Sequence, residues 1–180
     1  MDFSMGPSVT QAEQQIEKVE FSKETYELIS RFSCGTCQSA QFCEDWIKGV
    51  PPDACAFLSI EKHGTAVWIY RFQDCVIGYG SLGQNTADGK PIAFIPMLAV
   101  SEPFQGREVG GKKVSHHILD DLIRSAREQN HERVCLLVNK SNERAIRLYS
   151  SFGFSTYGNE LKYGNLRMCK KLIDGDASIS

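Results

Sequence analysis

The sequence predicts a single mixed α/β domain. Three observations carry that prediction: 180 residues at 42% apolar composition, a nearly continuous apolar run at 92–100, and a helical apolar pattern directly after it. The length fits one compact domain, with apolar content enough to bury a sizeable core. Charged residues at 23% exclude a disordered polyelectrolyte.

In chain order, residues 1–15 are polar and hold Gly6-Pro7, which reads as a loose leader before a domain spanning 16–173. Ile16, Val19 and Phe21 begin a first strand, and Ser22 caps a helix near 23–31. Phe32-Ser33-Cys34-Gly35 breaks that pattern, and 41–48 resumes it with Phe42, Asp45 and Trp46 on one face. Val50-Pro51-Pro52-Asp53 ends the second helix. Two β-rich runs at 66–72 and 75–82, joined by Gln73-Asp74, read as a hairpin. Residues 83–91 (GQNTADGKP) read as a loop by composition.

The run 92–100 (IAFIPMLAV) reads as a central strand buried on both faces, with Pro96 marking a bulge or a splay. From 109 to about 129, Val109, Val114, Ile118, Leu119, Leu122, Ile123 and Ala126 recur at helical spacing. RVCLLV at 133–138 is another buried strand. Ser141 caps a helix with the stripe Ala145, Leu148, Tyr149 and Phe152, ended by Gly153. Residues 154–157 and 166–172 are closing strands, and 174–180 a frayed tail.

Twenty Lys and Arg against 22 Asp and Glu give a net charge of −2, which excludes a dedicated nucleic-acid binder. Residues 1–100 hold 7 basic and 12 acidic residues, and residues 101–180 hold 13 and 10. The second half therefore suits a polyanionic ligand. No apolar run approaches the roughly 20 residues that span a bilayer, and the N-terminus lacks a signal-peptide pattern. Seven cysteines in such a chain predict reduced thiols and a soluble cytoplasmic protein. Cys34-Gly-Thr-Cys37 is one C-x₂-C without a partner knuckle, so no metal is expected and the pair belongs to a turn. Cys75, Cys135 and Cys169 read as buried fillers. Trp46 and Trp68 read as core anchors.

The chemistry-bearing segment is the glycine-containing junction Gln105-Gly106-Arg107-Glu108-Val109-Gly110-Gly111-Lys112-Lys113. Placed between a buried strand and a long helix, it exposes backbone N–H groups suited to a pyrophosphate, with Arg107, Lys112 and Lys113 adding charge at its edge. The alternative is an ordinary strand-to-helix turn. Further on, Asn142, Ala145 and Tyr149 share one helical face directly after a buried strand.

Together, QGREVGG, the long helix and LLVNKSNERAIRLYSSFGF resemble the GNAT superfamily of acetyl-CoA-dependent N-acetyltransferases, over about residues 75–172. The resemblance implies a mostly antiparallel central sheet with a splayed central strand and flanking helices. It implies that the backbone of Leu98, Ala99 and Val100 binds the pantetheine arm, and that Gln105, Gly106, Arg107, Glu108, Val109, Gly110 and Gly111 hold the pyrophosphate. Asn142 would lie along the cofactor, and Tyr149 would protonate the departing thiolate. The backbone N–H near Leu98 supplies an oxyanion donor. No general base is evident: Glu102, His116 and His117 are weak candidates, and both histidines read as solvated surface. An α-amino acceptor of pKa about 7.7–8 needs little help from a base.

One departure stands out. Glu108 occupies the position of the family loop's first glycine, and a positive φ there would cost glutamate about 1 kcal/mol. This motivates one alternative, a CoA-binding regulatory module without turnover. A second alternative comes from Phe32-Ser-Cys-Gly35, Phe42-Cys-Glu-Asp-Trp46 and Val76-Ile-Gly-Tyr79-Gly-Ser-Leu82. These are similar to the toxin-type subset, which acetylates the amino acid on charged tRNA, an acceptor that a net charge of −2 fits poorly. The expected partners are acetyl-CoA and an amine, without a membrane, in a monomer or homodimer.

Overall fold

A computed structural model describes residues 16–20 and 66–173. The front helices, the turn at 32–35, the Cys34/Cys37 pair, Trp46, the leader and the tail lie outside the described residues. The strands are β1 (Glu17–Glu20), β2 (Ala66–Phe72), β3 (Cys75–Ala87), β4 (Lys90–Ile95), β5 (Leu98–Val100), β6 (Glu108–Val109), β7 (Lys112–Lys113), β8 (Arg133–Asn139), β9 (Ser155–Thr156) and β10 (Asn165–Lys171). The helices are α1 (Val114–Glu128), between β7 and β8, and α2 (Glu143–Ser151), between β8 and β9.

Among the described residues, eight strands form one sheet in the order β1-β2-β3-β4-β8-β10-β9, with β5 also on β3. Every pairing in it is antiparallel except β4 with β8. This is the expected mixed, mostly antiparallel α/β architecture. The β2–β3 hairpin forms as read, with Gln73 at φ 54° in its turn. The expected loop at 83–91 is instead a second hairpin. β3 runs on to Ala87 and β4 starts at Lys90, around Asp88 and Gly89 at φ 53° and 74°. An Asp-Gly pair supplies the two positive φ angles of the tight turn that matches strand twist, and this outweighs the polar composition around it.

The two faces of the sheet differ. Ala93, Ile95, Val134, Leu136, Val138 and Met168 face α1 and α2 and form the main core with Ile118, Leu119, Leu122 and Phe154. On the opposite face, Ala87, Ile92, Cys135 and Cys169 form a smaller cluster. α1 lies so close to β3 that a Cβ on Gly78 would come within 2.6 Å of Ile118 Cδ1 and 2.7 Å of the Ala99 carbonyl oxygen. Glycine there is a packing requirement.

α1 also carries an acid on its buried side. Asp121 is 7% exposed and accepts from the Tyr70 hydroxyl at 2.7 Å, from Lys18 Nζ at 2.6 Å, and from Arg124. Burial acts to raise the Asp121 pKa, but the hydrogen bonds from Lys18 and Tyr70 and the charges of Lys18 and Arg124 outweigh it and hold the carboxyl below its usual range. Burial, then the hydrogen bond to Asp121, raises the Tyr70 pKa. Lys18 also sits 3.9 Å over the half-buried Trp68 ring, tying the edge strand to the helix.

Three further expectations are corrected. Cys135 and Cys169 are buried as read, but they stand opposite each other in the β8–β10 register and form a disulfide rather than reduced thiols. Directly opposed positions of an antiparallel pair bring two side chains into contact on one face. Cys75 is exposed at the start of β3 rather than buried. α1 begins at Val114 rather than 109, because β6 and β7 pair as a small hairpin in front of it. No helix among the described residues is long and apolar enough to cross a membrane.

Candidate active site

The predicted apolar strand at 92–100 is broken at Pro96 and Met97 into β4 and β5. Both segments pair with β3, but the register slips by one residue between Gly83↔Phe94 and Gly80↔Leu98, which is a β-bulge. On its other side β4 pairs with β8 only over Ala93↔Val134, Phe94↔Cys135 and Ile95↔Leu136. Beyond Ile95 the two strands part: among the described residues, β5 pairs only with β3, and the end of β8 pairs only with β10. A gap opens in the middle of the sheet.

The ladder fixes which groups face that gap. Ser81 N–H donates to the Met97 carbonyl at 3.0 Å and Ser101 N–H to the Ile77 carbonyl at 2.9 Å. Residues 97, 99 and 101 therefore turn their backbone groups to β3, while Leu98 and Val100 turn theirs to the gap. This separates Ala99, whose backbone lies against Tyr79, from Leu98 and Val100.

The glycine loop follows at the end of β5. Gln105 Nε2 donates to the Val100 carbonyl at 3.1 Å, and Gln105 Oε1 accepts from Arg144 Nη1 of α2 at 3.2 Å. Gly106 is exposed at φ 76°. Arg107 is exposed, and its N–H donates to the Phe104 carbonyl while its own carbonyl accepts from Val114 N–H. Glu108 is exposed in extended backbone opposite Lys113, so the feared positive-φ penalty does not arise. Gly110 and Gly111, at φ 60° and 78°, make the tip of the β6–β7 hairpin. They thus precede the helix N-terminus by several residues instead of forming it.

Val109 is buried, and its carbonyl accepts from His117 Nε2 at 2.8 Å. His116 packs edge-on against Phe152 at 5.1 Å between ring centroids. Partial burial, then the charges of Lys113 and Lys112, lowers its pKa. Both histidines are half-buried, which corrects the reading of them as solvated surface.

Asn142, not Ser141, is the N-cap of α2. Its Oδ1 accepts from Ala145 N–H at 3.2 Å, while the Ser141 hydroxyl donates to Asn139. Ser141 lies one position too early to reach the helix's open N–H groups. Tyr149 is half-buried on the main-core side, its ring 5.9 Å from that of Phe154. That is the side on which Leu98 and Val100 also pack. Gly153, at φ 83°, follows the Phe152 C-cap as expected.

α2 is thus held at both ends by the segment it crosses: Arg144 reaches Gln105, and Phe152 meets His116. Tyr149 lies between them. Sequence reasoning missed Arg144 and the His117–Val109 contact. The signal for Arg144 was its place one turn before Leu148, on an exposed flank. Among the described residues, no group of three or more His, Cys, Asp or Glu is arranged to hold a metal ion.

The sequence profile of the acetyltransferase (GNAT) family matches residues 34–154. A comparison with curated proteins finds no match. Among solved structures, the chain is similar to the PaiA N-acetyltransferase of Thermoplasma acidophilum in complex with coenzyme A. The two share 16% identity over 87% of this chain and 99% of that one, with a TM-score of 0.63. It is also similar to Ard1 of Thermoplasma volcanium, at 21% identity over 88% and 99% of the two chains, TM-score 0.60. A third structure, described as a bacterial toxin, has 14% identity over 88% and 92%, TM-score 0.66.

Proposed function

Since the chain belongs to the acetyltransferase (GNAT) family, we propose that it moves the acetyl group of acetyl-CoA directly to an amine, with Tyr149 as general acid. The observation that carries this reading is the gap between β5 and β8, toward which Leu98 and Val100 direct backbone donors and acceptors. The half-buried hydroxyl-bearing Tyr149 is on the same side of the sheet.

Acetyl-CoA, as co-substrate, brings the activated thioester. The neutral amine adds to the carbonyl carbon. A C–N bond forms and the C–S bond breaks. The N–H of Leu98 donates to the carbonyl oxygen as charge develops on it. The departing sulfur takes the Tyr149 proton, and the proton released by the nitrogen passes to water and returns to the phenolate. In water phenols and thiols differ by only about 1.5 pKa units, so a tyrosine hydroxyl is a chemically suitable donor to a departing thiolate. Gln105 orders the Val100 edge, and the loop through Gly111, with Arg107 and Lys113 exposed, receives the pyrophosphate.

The regulatory-module alternative loses its motive, because Glu108 is extended and exposed. Acceptance of charged tRNA as in toxin-type enzymes keeps one favouring observation, the similarity to a structure described as a bacterial toxin. Calorimetric titration with acetyl-CoA, followed by thiol release on a panel of amines, peptides and aminoacyl-tRNA, tests the reading. Saturable binding with amine-dependent thiol release is expected. Absence of binding, or binding without release on any amine, overturns it.

A further inference from the structure

Leu137 is 45% exposed although it lies in a central strand whose neighbouring residues Leu136 and Val138 are buried. It belongs to the face away from α1 and α2, in the row of Cys135, just where β8 has parted from β5. Across the β8–β10 ladder, Arg167 stands directly opposite Leu137, so both project on that face.

Arg167 is half-buried, and two described acids of the turns before β4 and β10 pair with other residues. Asp88 accepts from the Tyr157 hydroxyl and lies 4.0 Å from Arg133, and Glu160 pairs with Lys140 at 2.8 Å. No ion pair engages Arg167 among the described residues. A half-buried guanidinium without a carboxylate, beside an exposed leucine, is an incomplete pair. β10 stands one strand spacing, about 4.8 Å, beyond β8, a distance an arginine side chain spans.

We infer that Arg167 and Leu137 form the acceptor side of the gap and that the acceptor is a small amine carrying a carboxylate. Arg167 holds the carboxylate in a two-pronged contact, Leu137 supports the carbon chain, and the amine enters the gap. Arginine is suited to this role because its planar fork matches a carboxylate in geometry as well as charge. The inference rests on the acetyl-transfer reading and names its substrate class.

The full chain is titrated first with acetyl-CoA, which tests the acetyl-transfer reading alone. Amino acids are then compared with their neutral carboxamides as acceptors, with rates expressed per neutral amine. The acids are expected to be preferred by about tenfold or more in kcat/KM, in line with a charged hydrogen-bonded pair. Arg167→Met should erase the preference by raising KM for the acids, leaving acetyl-CoA affinity and the rate with carboxamides unchanged. Arg167→Lys should keep part of it. Equal rates for acids and carboxamides overturn the inference, as does a preference that survives Arg167→Met. So does a protein that binds acetyl-CoA but acetylates no acid, or one that prefers aminoacyl-tRNA with activity retained in Arg167→Met.

Discussion

Arg144 of α2 donates to Gln105 at 3.2 Å, and Gln105 passes the contact on to the Val100 carbonyl at 3.1 Å. The helix that carries Tyr149 is thereby bonded, through the first residue of the glycine loop, to the strand edge facing the gap. Gln105→Ala should weaken acetyl-CoA binding roughly five- to tenfold, the equivalent of about one hydrogen bond. kcat should change little. Calorimetry and steady-state kinetics separate the two; an unchanged Kd removes Gln105 from the binding loop.

Tyr149→Phe removes only the hydroxyl, whose role is realised as charge develops on sulfur. kcat should fall by roughly 10²–10⁴ with acetyl-CoA affinity kept. A variant with full turnover would take Tyr149 out of the mechanism.

Glu108 sits in the extended β6 opposite Lys113. Glu108→Gly should therefore change acetyl-CoA affinity by less than about 1 kcal/mol, roughly a factor of five. A gain of tenfold or more at low salt that fades at high salt would place the carboxylate against the pyrophosphate.

The Asp121 pKa is lower folded than unfolded. Its contribution to stability is therefore full above the unfolded value of about 3.9 and is lost as pH falls through the lower folded value. Asp121→Asn should destabilise by about 2–4 kcal/mol at neutral pH, since it uncouples Lys18 and Tyr70 from α1. The difference from the parent should shrink below about pH 4. Urea melts at pH 7 and pH 3 measure it, and a constant difference would refute the assignment.

Gly78→Ala puts a methyl against Ile118 and, less avoidably, the Ala99 carbonyl oxygen. A loss of about 2–3 kcal/mol is expected, the upper range of overpacking costs. A wild-type melting temperature would mean that α1 withdraws freely from β3.

From β2 onward, the order of the main strands and the two helices and the irregularity at Pro96 were legible because proline, glycine and apolar runs are local signals. The hairpin at Asp88-Gly89 was read as a loop, because the polar neighbours outweighed its Asp-Gly turn signal. The start of α1 was read five residues early because Val109 continues the helical spacing, while the paired Gly110-Gly111 turn allows a hairpin instead. What one strand does to another stayed invisible. The pairing of Cys135 with Cys169, Asp121 meeting Lys18 and Tyr70, and Arg144 reaching Gln105 all join distant segments through register and helix placement, for which single residues carry no mark.

The three parallel rungs from Ala93↔Val134 to Ile95↔Leu136 also have a mechanical meaning. β1–β5 form one leaf and β8–β10 another, each stitched by antiparallel ladders, and the rungs are the spine between them. Pro96 has no N–H to offer a further rung, so the spine cannot creep toward the open end. Under load applied at that end, the leaves should part along the spine before either leaf tears. A molecule bonded to both leaves acts as a clasp, raising the force at which the domain opens.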